Sequence, residues 1–463
     1  MTQMSKRNPG KGQGYLMAII AMFLLFAMIS FVTNLAAPIG TIWKNHYDWS
    51  GMLGNMMNFL AYLFMGIPAG KMIENIGYKK TSQWAMIVGV AGLLLQLASG
   101  YFFTGTNVFS VSGQAITLNF IIYLLGAFVC GFSVCMLNTV VNPMLNLLGG
   151  GGKKGNQLVQ MGGSLNSLAG TLTPMLVGAM IGSITPRTSI TDVATLLLIA
   201  IGVFVFTLLV ISVMRIPEPS MRNANTPKVK EKYSPWNFRH TVLGVIGIFF
   251  YVGIEVGIPG VLIFYLSDWE VSGLPAENAV AIAGSVAAIY WLLMLCGRLL
   301  SSIISGFVSS KAQLTVVSTI AIILVLAAIF IPSTDRVLMP CGSVTDGFGM
   351  VEVPVSALLL VLCGLCTSVM WGGIFNLAVE GLGKYTAQAS GIFMMMVVGG
   401  GVMPFIQNWI ADTAGYMQSY WLVVAMLGYL LFYAIVGCKN VNTDIPVDEK
   451  LPEAKETPNA LDL

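Results

Sequence analysis

Residues 51–103 read GMLGNMMNFLAYLFMGIPAGKMIENIGYKKTSQWAMIVGVAGLLLQLASGYFF, two apolar runs on either side of a short basic turn. Each run, 51–73 and 82–103, has about the 20 residues that span a bilayer core. Working outward, further runs near 15–42, 116–141, 157–182 and 192–214 complete a first set of six. A second six follows near 241–267, 276–308, 313–331, 353–379, 386–410 and 417–438. Hydrophobic residues make up 56% of the 463 and charged residues 9%, against roughly 25% charged in soluble domains. Surfaces of this kind would aggregate in water, so lipid is the solvent.

The expected fold is an all-α membrane protein of twelve transmembrane helices in two six-helix bundles. Residues 1–214 form the first bundle, 215–240 a charged linker with Lys228, Lys230, Glu231 and Lys232, and 241–438 the second bundle. The stretch 439–463 is short, acidic and proline-containing, the composition of a disordered tail. Lys and Arg resist translocation. With the N-terminus in the cytoplasm, only Lys44, Arg187 and Arg336 of the 23 basic residues fall in exterior loops. Both termini are therefore expected to be cytoplasmic. The basic start at Lys6, Arg7 and Lys11 precedes a run too long for a signal core, and it reads as an uncleaved first helix.

The halves echo each other. QMGGSLNSLAGTLTPMLVGAMIG (160–182) and SGIFMMMVVGGGVMPFIQNWIAD (390–412) set Gly170 and Pro174 on Gly400 and Pro404, an offset of 230. Same-orientation repeats of six helices place the solute site between the halves, near the midplane. The turn after the second span, with Gly70, Glu74, Gly77, Lys79 and Lys80, resembles the signature of the major facilitator superfamily, G-x-L-x-D-x-x-G-R-K-K. It departs at Glu74, usually Asp, and at Tyr78, usually Arg. A closer resemblance, to the fucose permease and glucose/galactose permease branch, is carried by GIPAG (66–70), NTVVNP (138–143), LNSLAG (165–170), FFYVGIE (249–255), GR (297–298), IFNLAVEGLG (374–383) and VVGGGVMP (397–404). The resemblance implies a symporter that takes up small sugars by alternating access, usually with protons. The chain is expected to act as a monomer in the bacterial inner membrane on a monosaccharide, with sodium as the alternative coupling cation. Membrane lipid would be its surroundings, and nucleic acid has no part.

Charge singles out Glu255. An ionised carboxylate at the bilayer centre costs roughly 2.5–3.5 kcal/mol on insertion scales, so it needs a cavity or a partner. Gly257, Pro259 and Gly260 follow it and should break or bend the seventh helix. Glu255 is the candidate for cation coupling, against the alternative of a protonated packing group. The fucose permease pattern places an Asp four residues before a proline in the first helix and a Glu four residues before N-P in the fourth. Here those positions are Asn34 and Asn138, and a glutamine of the fifth helix is Gly163. The proton route of that permease is therefore not carried over.

Amides suit sugar hydroxyls because they donate and accept without burying charge. Asn34, Asn138, Asn142, Gln160, Asn166 and Asn376 are the candidate binding amides, with helix glue as their alternative role. Trp291 and Trp371 could stack on a pyranose face. Arg298 is expected to snorkel or to close a gate with Glu380. Cys363 and Cys366 read as small packing residues, and two histidines at helix ends make no metal site. Neither a cofactor nor an enzymatic centre is expected. Rival readings are a uniporter or exporter of another solute on the same scaffold, and a membrane-embedded enzyme or sensor.

Overall fold

The computed structural model describes residues 9–44, 46, 47, 50, 53–111, 113–150, 152–181, 189–214, 216, 218, 233–275, 279–343 and 347–447. Arg187, most of the linker and the tail beyond 447 lie outside the described residues, as do the side chains of Asn34 and Lys44.

Helices dominate. The first half holds α1 (Pro9–Lys44), α2 (Leu53–Ser99), α3 (Leu118–Leu148), α4 (Gly152–Ile181) and α5 (Ala194–Val213). The second holds α6 (Arg239–Ser267), the short α7 (Trp269–Ser272), α8 (Ala279–Ile304), α9 (Ser310–Phe330), α10 (Val355–Val379), α11 (Thr386–Met395), α12 (Gly399–Ala414) and α13 (Tyr416–Phe432). At 47 residues, α2 would run about 70 Å if straight, more than twice the hydrocarbon core. It is two spans joined at Gly77, whose φ of 83° and ψ of 171° leave the helical region. Together α11, a 3₁₀ turn at Met396–Val398 and α12 make one span. Ten described helical segments are long and apolar enough to cross a bilayer. With α2 counted twice and the more polar α4 added, the spans are twelve.

Boundaries shifted where sequence punctuation misled. The fourth span continues through Pro143 to Leu148, so the next turn is the glycine run after it. The predicted break in the seventh helix is absent: α6 runs unbroken through Pro259. A feature missed from sequence is a β-hairpin after the third span of each half. β1 (Asn107–Val111) pairs antiparallel with β2 (Gln114–Thr117), and β3 (Arg336–Ser343) with β4 (Gly347–Pro354).

Within the first half α2 packs on α3 and α5, and α1 on α4. Within the second, α10 packs on α8, α9 and α6, and α12 and α13 on α6. The halves meet along α2 with α11 and α4 with α8. Glycine makes the first contact possible. A Cβ on Gly66 would lie 2.6 Å from the Met395 nitrogen and the Gly391 carbonyl oxygen, so the two backbones touch.

Candidate functional site

A cavity of about 450 Å³ opens between the halves. Phe26 and Thr33 of α1, Phe59 and Tyr62 of α2, Asn138 of α3 and Gln160, Gly163 and Asn166 of α4 line one wall. Glu255 and Pro259 of α6, Trp291 and Arg298 of α8 and Trp371 of α10 line the other. Most of the lining is apolar, and the polar groups are few and convergent, as in solute pockets generally.

Charge enters this cavity as a pair. Arg298 Nη2 donates to Glu255 Oε1 at 2.9 Å, and both side chains are largely buried. Arg298 Nη1 donates to the Gly163 carbonyl of α4 at 2.8 Å, so the guanidinium also joins the two halves. A Cβ at 163 would sit 3.5 Å from Arg298 Cδ, an ordinary contact, so the Arg298 side chain packs directly over this position. Arg298 thus meets Glu255 and not Glu380, which is exposed at the end of α10. On the opposite wall, Asn138 Nδ2 donates to the Tyr62 hydroxyl at 2.9 Å.

Below the cavity the halves are sealed at one end. Asn146 Nδ2 donates to Asn376 Oδ1 at 2.8 Å, and Asn156 Nδ2 to Ser305 Oγ at 2.9 Å. Gln160 Nε2 donates to the Val369 carbonyl at 2.9 Å, and Ser390 Oγ to the Thr139 carbonyl at 3.4 Å. Asn146 and Asn376 stand 230 residues apart, the offset of the sequence repeat. The Gln160–Val369 and Ser390–Thr139 bonds exchange under the same offset, Gln160 with Ser390 and Thr139 with Val369, whereas Asn156–Ser305 has no such counterpart. The seal is therefore built on the pseudo-twofold axis. Gln388 Nε2 adds a contact to Glu74 Oε2 at 3.2 Å.

The structure brings Asn138, Gln160, Asn166, Glu255, Trp291, Arg298 and Trp371 to the cavity. It sets two other amides in the seal: Asn142 accepts from Trp371 Nε1 at 3.0 Å, and Asn376 also donates to Ser310 Oγ at 2.9 Å. Asn34 lies on α1 with its side chain outside the described residues. Of the signature turn, Gly70 packs on the Ala387 backbone and Lys80 is exposed. Lys79 Nζ donates to the Ser212 and Met214 carbonyls of its own half. Gly77 approaches Glu218, whose carboxylate accepts from the Tyr78 and Lys79 amides. Tyr62, Asn146 and Asn156 were missed from sequence. Asn146 had a signal, since it continues the four-residue spacing of Asn138 and Asn142. Among the described residues no group of three His, Cys, Asp or Glu could hold a metal.

Comparisons with known proteins agree with this geometry. Residues 17–404 match the profile of the Major Facilitator Superfamily. A glucose/galactose transporter of Brucella abortus is 28% identical over 438 residues, covering 92% of this chain and 96% of its own. The L-fucose-proton symporter of Escherichia coli is 20% identical over 452 residues, covering 92% and 94%. Crystal structures of that fucose:proton symporter, one in an outward conformation, match with a TM-score of 0.72 at 18% identity, covering 91% of this chain and 98% of theirs.

Proposed function

The chain belongs to the Major Facilitator Superfamily of membrane transporters, and on that premise we propose that it takes up a hexose by proton-coupled symport. The observation that carries this reading is the Glu255–Arg298 pair in a mostly apolar cavity between the halves. Relatives that carry glucose, galactose or fucose support a sugar as the solute. Asn138, Gln160 and Asn166 offer the hydroxyls donors and acceptors, and Trp291 and Trp371 offer ring faces.

Glu255 is the coupling group, and the relative that is an L-fucose-proton symporter supports a proton as the coupling ion. Protonation of Glu255 would neutralise the carboxylate and release Arg298 from the 2.9 Å pair, which gives the proton a structural effect on the cavity. The sealed end is the cytoplasmic one, with both termini on that side, which agrees with the distribution of Lys and Arg. The conformation described is then open to the outside, in a bacterial inner membrane. Residues 1–214 and 241–438 are the two moving bodies, joined by the 215–240 linker.

Reconstitution into vesicles with an imposed proton gradient tests this. Wild-type protein should concentrate labelled glucose or galactose. Glu255→Gln should lose gradient-driven accumulation at least about tenfold while retaining counterflow exchange. Accumulation at full strength in that variant would remove Glu255 from coupling. Exchange without accumulation in the wild type would indicate a uniporter, and no response to any hexose would point to another solute.

A further inference from the structure

Trp371 belongs to the cavity wall and to the seal at once, and its two sets of contacts come from different halves. Its ring leans on Tyr251 (centroids 6.1 Å apart, 59°) and Phe393 (5.9 Å, 82°), both in the second half. Its N–H goes to Asn142 in the first half. We propose that Asn142 is a positioning residue: it presents the Trp371 ring face to the transported sugar only while the sealed end stays closed. The proposal rests on the reading of a sugar carried in the central cavity.

Asn142 is fully buried and is not part of the cavity lining. Its amide is engaged at both ends, Nδ2 donating to the Asn138 carbonyl at 2.9 Å and Oδ1 accepting from the indole at 3.0 Å. The first bond fixes the second, because a flipped amide would aim N–H at N–H. Beside this contact the Gln160 side chain lies over Gly372 and its Nε2 donates to the Val369 carbonyl at 2.9 Å, so α4 and α10 are bridged there as well.

Opening this end parts α3 and α4 from α10 and withdraws the acceptor. The indole then keeps two aromatic edges, which permit tilting, and loses the one directional bond that set its plane. A ligand shifts a conformational equilibrium only through a difference in affinity between the two states. A flat apolar ring held broadside to a pyranose, and then released, supplies that difference. The N–H itself is spent on Asn142, so sugar hydroxyls meet the ring face and not the donor.

The test is hexose affinity of the full chain in oriented vesicles, measured from each side. Asn142→Leu and Trp371→Phe should each weaken outward-side affinity by about three- to tenfold, the worth of one hydrogen bond. The double variant should be no weaker than the poorer single one, because both remove the same contact. Inward-side affinity should change by less than about twofold. Asn142→Asp, whose protonated carboxyl can donate to the Asn138 carbonyl and still accept from the indole, should retain the outward affinity in acid and serves if the leucine variant fails to fold. Additive losses, equal losses on both sides, or unchanged affinity in Asn142→Leu would each overturn the proposal. Trp371→Ala separates this from the reading beneath it. Wild-type hexose binding in that variant would sink the cavity assignment, whereas loss there with normal binding in Asn142→Leu would sink only the positioning role.

Discussion

Glu218 sits 140 residues along the chain from the turn that it caps. The third span begins after Gly77 with amides that have no intrahelical acceptor, and the Glu218 carboxylate takes those of Tyr78 and Lys79. A carboxylate at a helix N-terminus also suits the helix dipole. Half-burial nevertheless pushes the Glu218 carboxyl above its ordinary range, with the bonds to Lys79 and Tyr78 opposing it. A carboxyl raised in the fold favours folding most when it is protonated. Its contribution is therefore fully present below the unfolded value of about 4.3 and declines as pH rises through the folded value. Relative to Glu218→Gln, wild-type protein should melt highest in acid and lose that advantage toward neutral pH, as read by thermal unfolding in detergent. Sequence alone showed Lys79 and Lys80 only as the basic residues of the turn after the second span. It could not show that Lys79 is drawn to the carbonyls ending α5, because a helix C-terminus becomes a partner only once packing brings it near.

At the scale of elements, α2 and α11 form the tightest joint between the halves. Gly66 and Gly391 each leave room for the other's backbone; a Cβ on Gly391 would lie 2.5 Å from the Gly66 carbonyl oxygen. Backbone cannot yield as a side-chain tip can. Gly66→Val should force the helices apart at a cost of about 1–3 kcal/mol. Spin-label distances across the sealed end should lengthen in that variant, and unchanged distances would mean that α11 slides to absorb the methyls. Helix positions were largely legible because a bilayer demands a long apolar run for every span. Asn138 and Asn142 were legible as one face of a helix from their spacing. Which of them lines the cavity was not, because the face turns from the cavity at Asn138 to the seal at Asn142 within a single turn. The expected break after Glu255 failed for a related reason. Pro259 removes one N–H, yet α6 stays helical through it, with Gly253 packed on Met403 and Gly257 on Gln407.

For the whole molecule, the offset of 230 that sets Gly170 and Pro174 on Gly400 and Pro404 was a weak signal, since glycine and proline are common in membrane helices. The same offset in the seal gives it weight, because Asn146 meets Asn376 and two further bonds exchange under it. A prediction belongs at this scale. Asn146→Asp with Asn376→Asp sets two carboxylates face to face, a repulsion of about 4 kcal/mol at 4 Å and an effective dielectric constant of 20. Label distances should report an opened seal at neutral pH and reclosure in acid, where one carboxyl regains its proton. A seal that stays shut at neutral pH would assign closure to α2 and α11 instead. The Asn146–Asn376 bond carries one more consequence, and it is historical. A residue that meets its own equivalent across a twofold axis is the hallmark of an isologous contact between identical subunits. A six-span ancestor could have made this closure by pairing with a second copy of itself. Gene duplication and fusion would then have inherited a working joint, leaving the second half free to diverge at Glu255 and Arg298, where symmetry is broken.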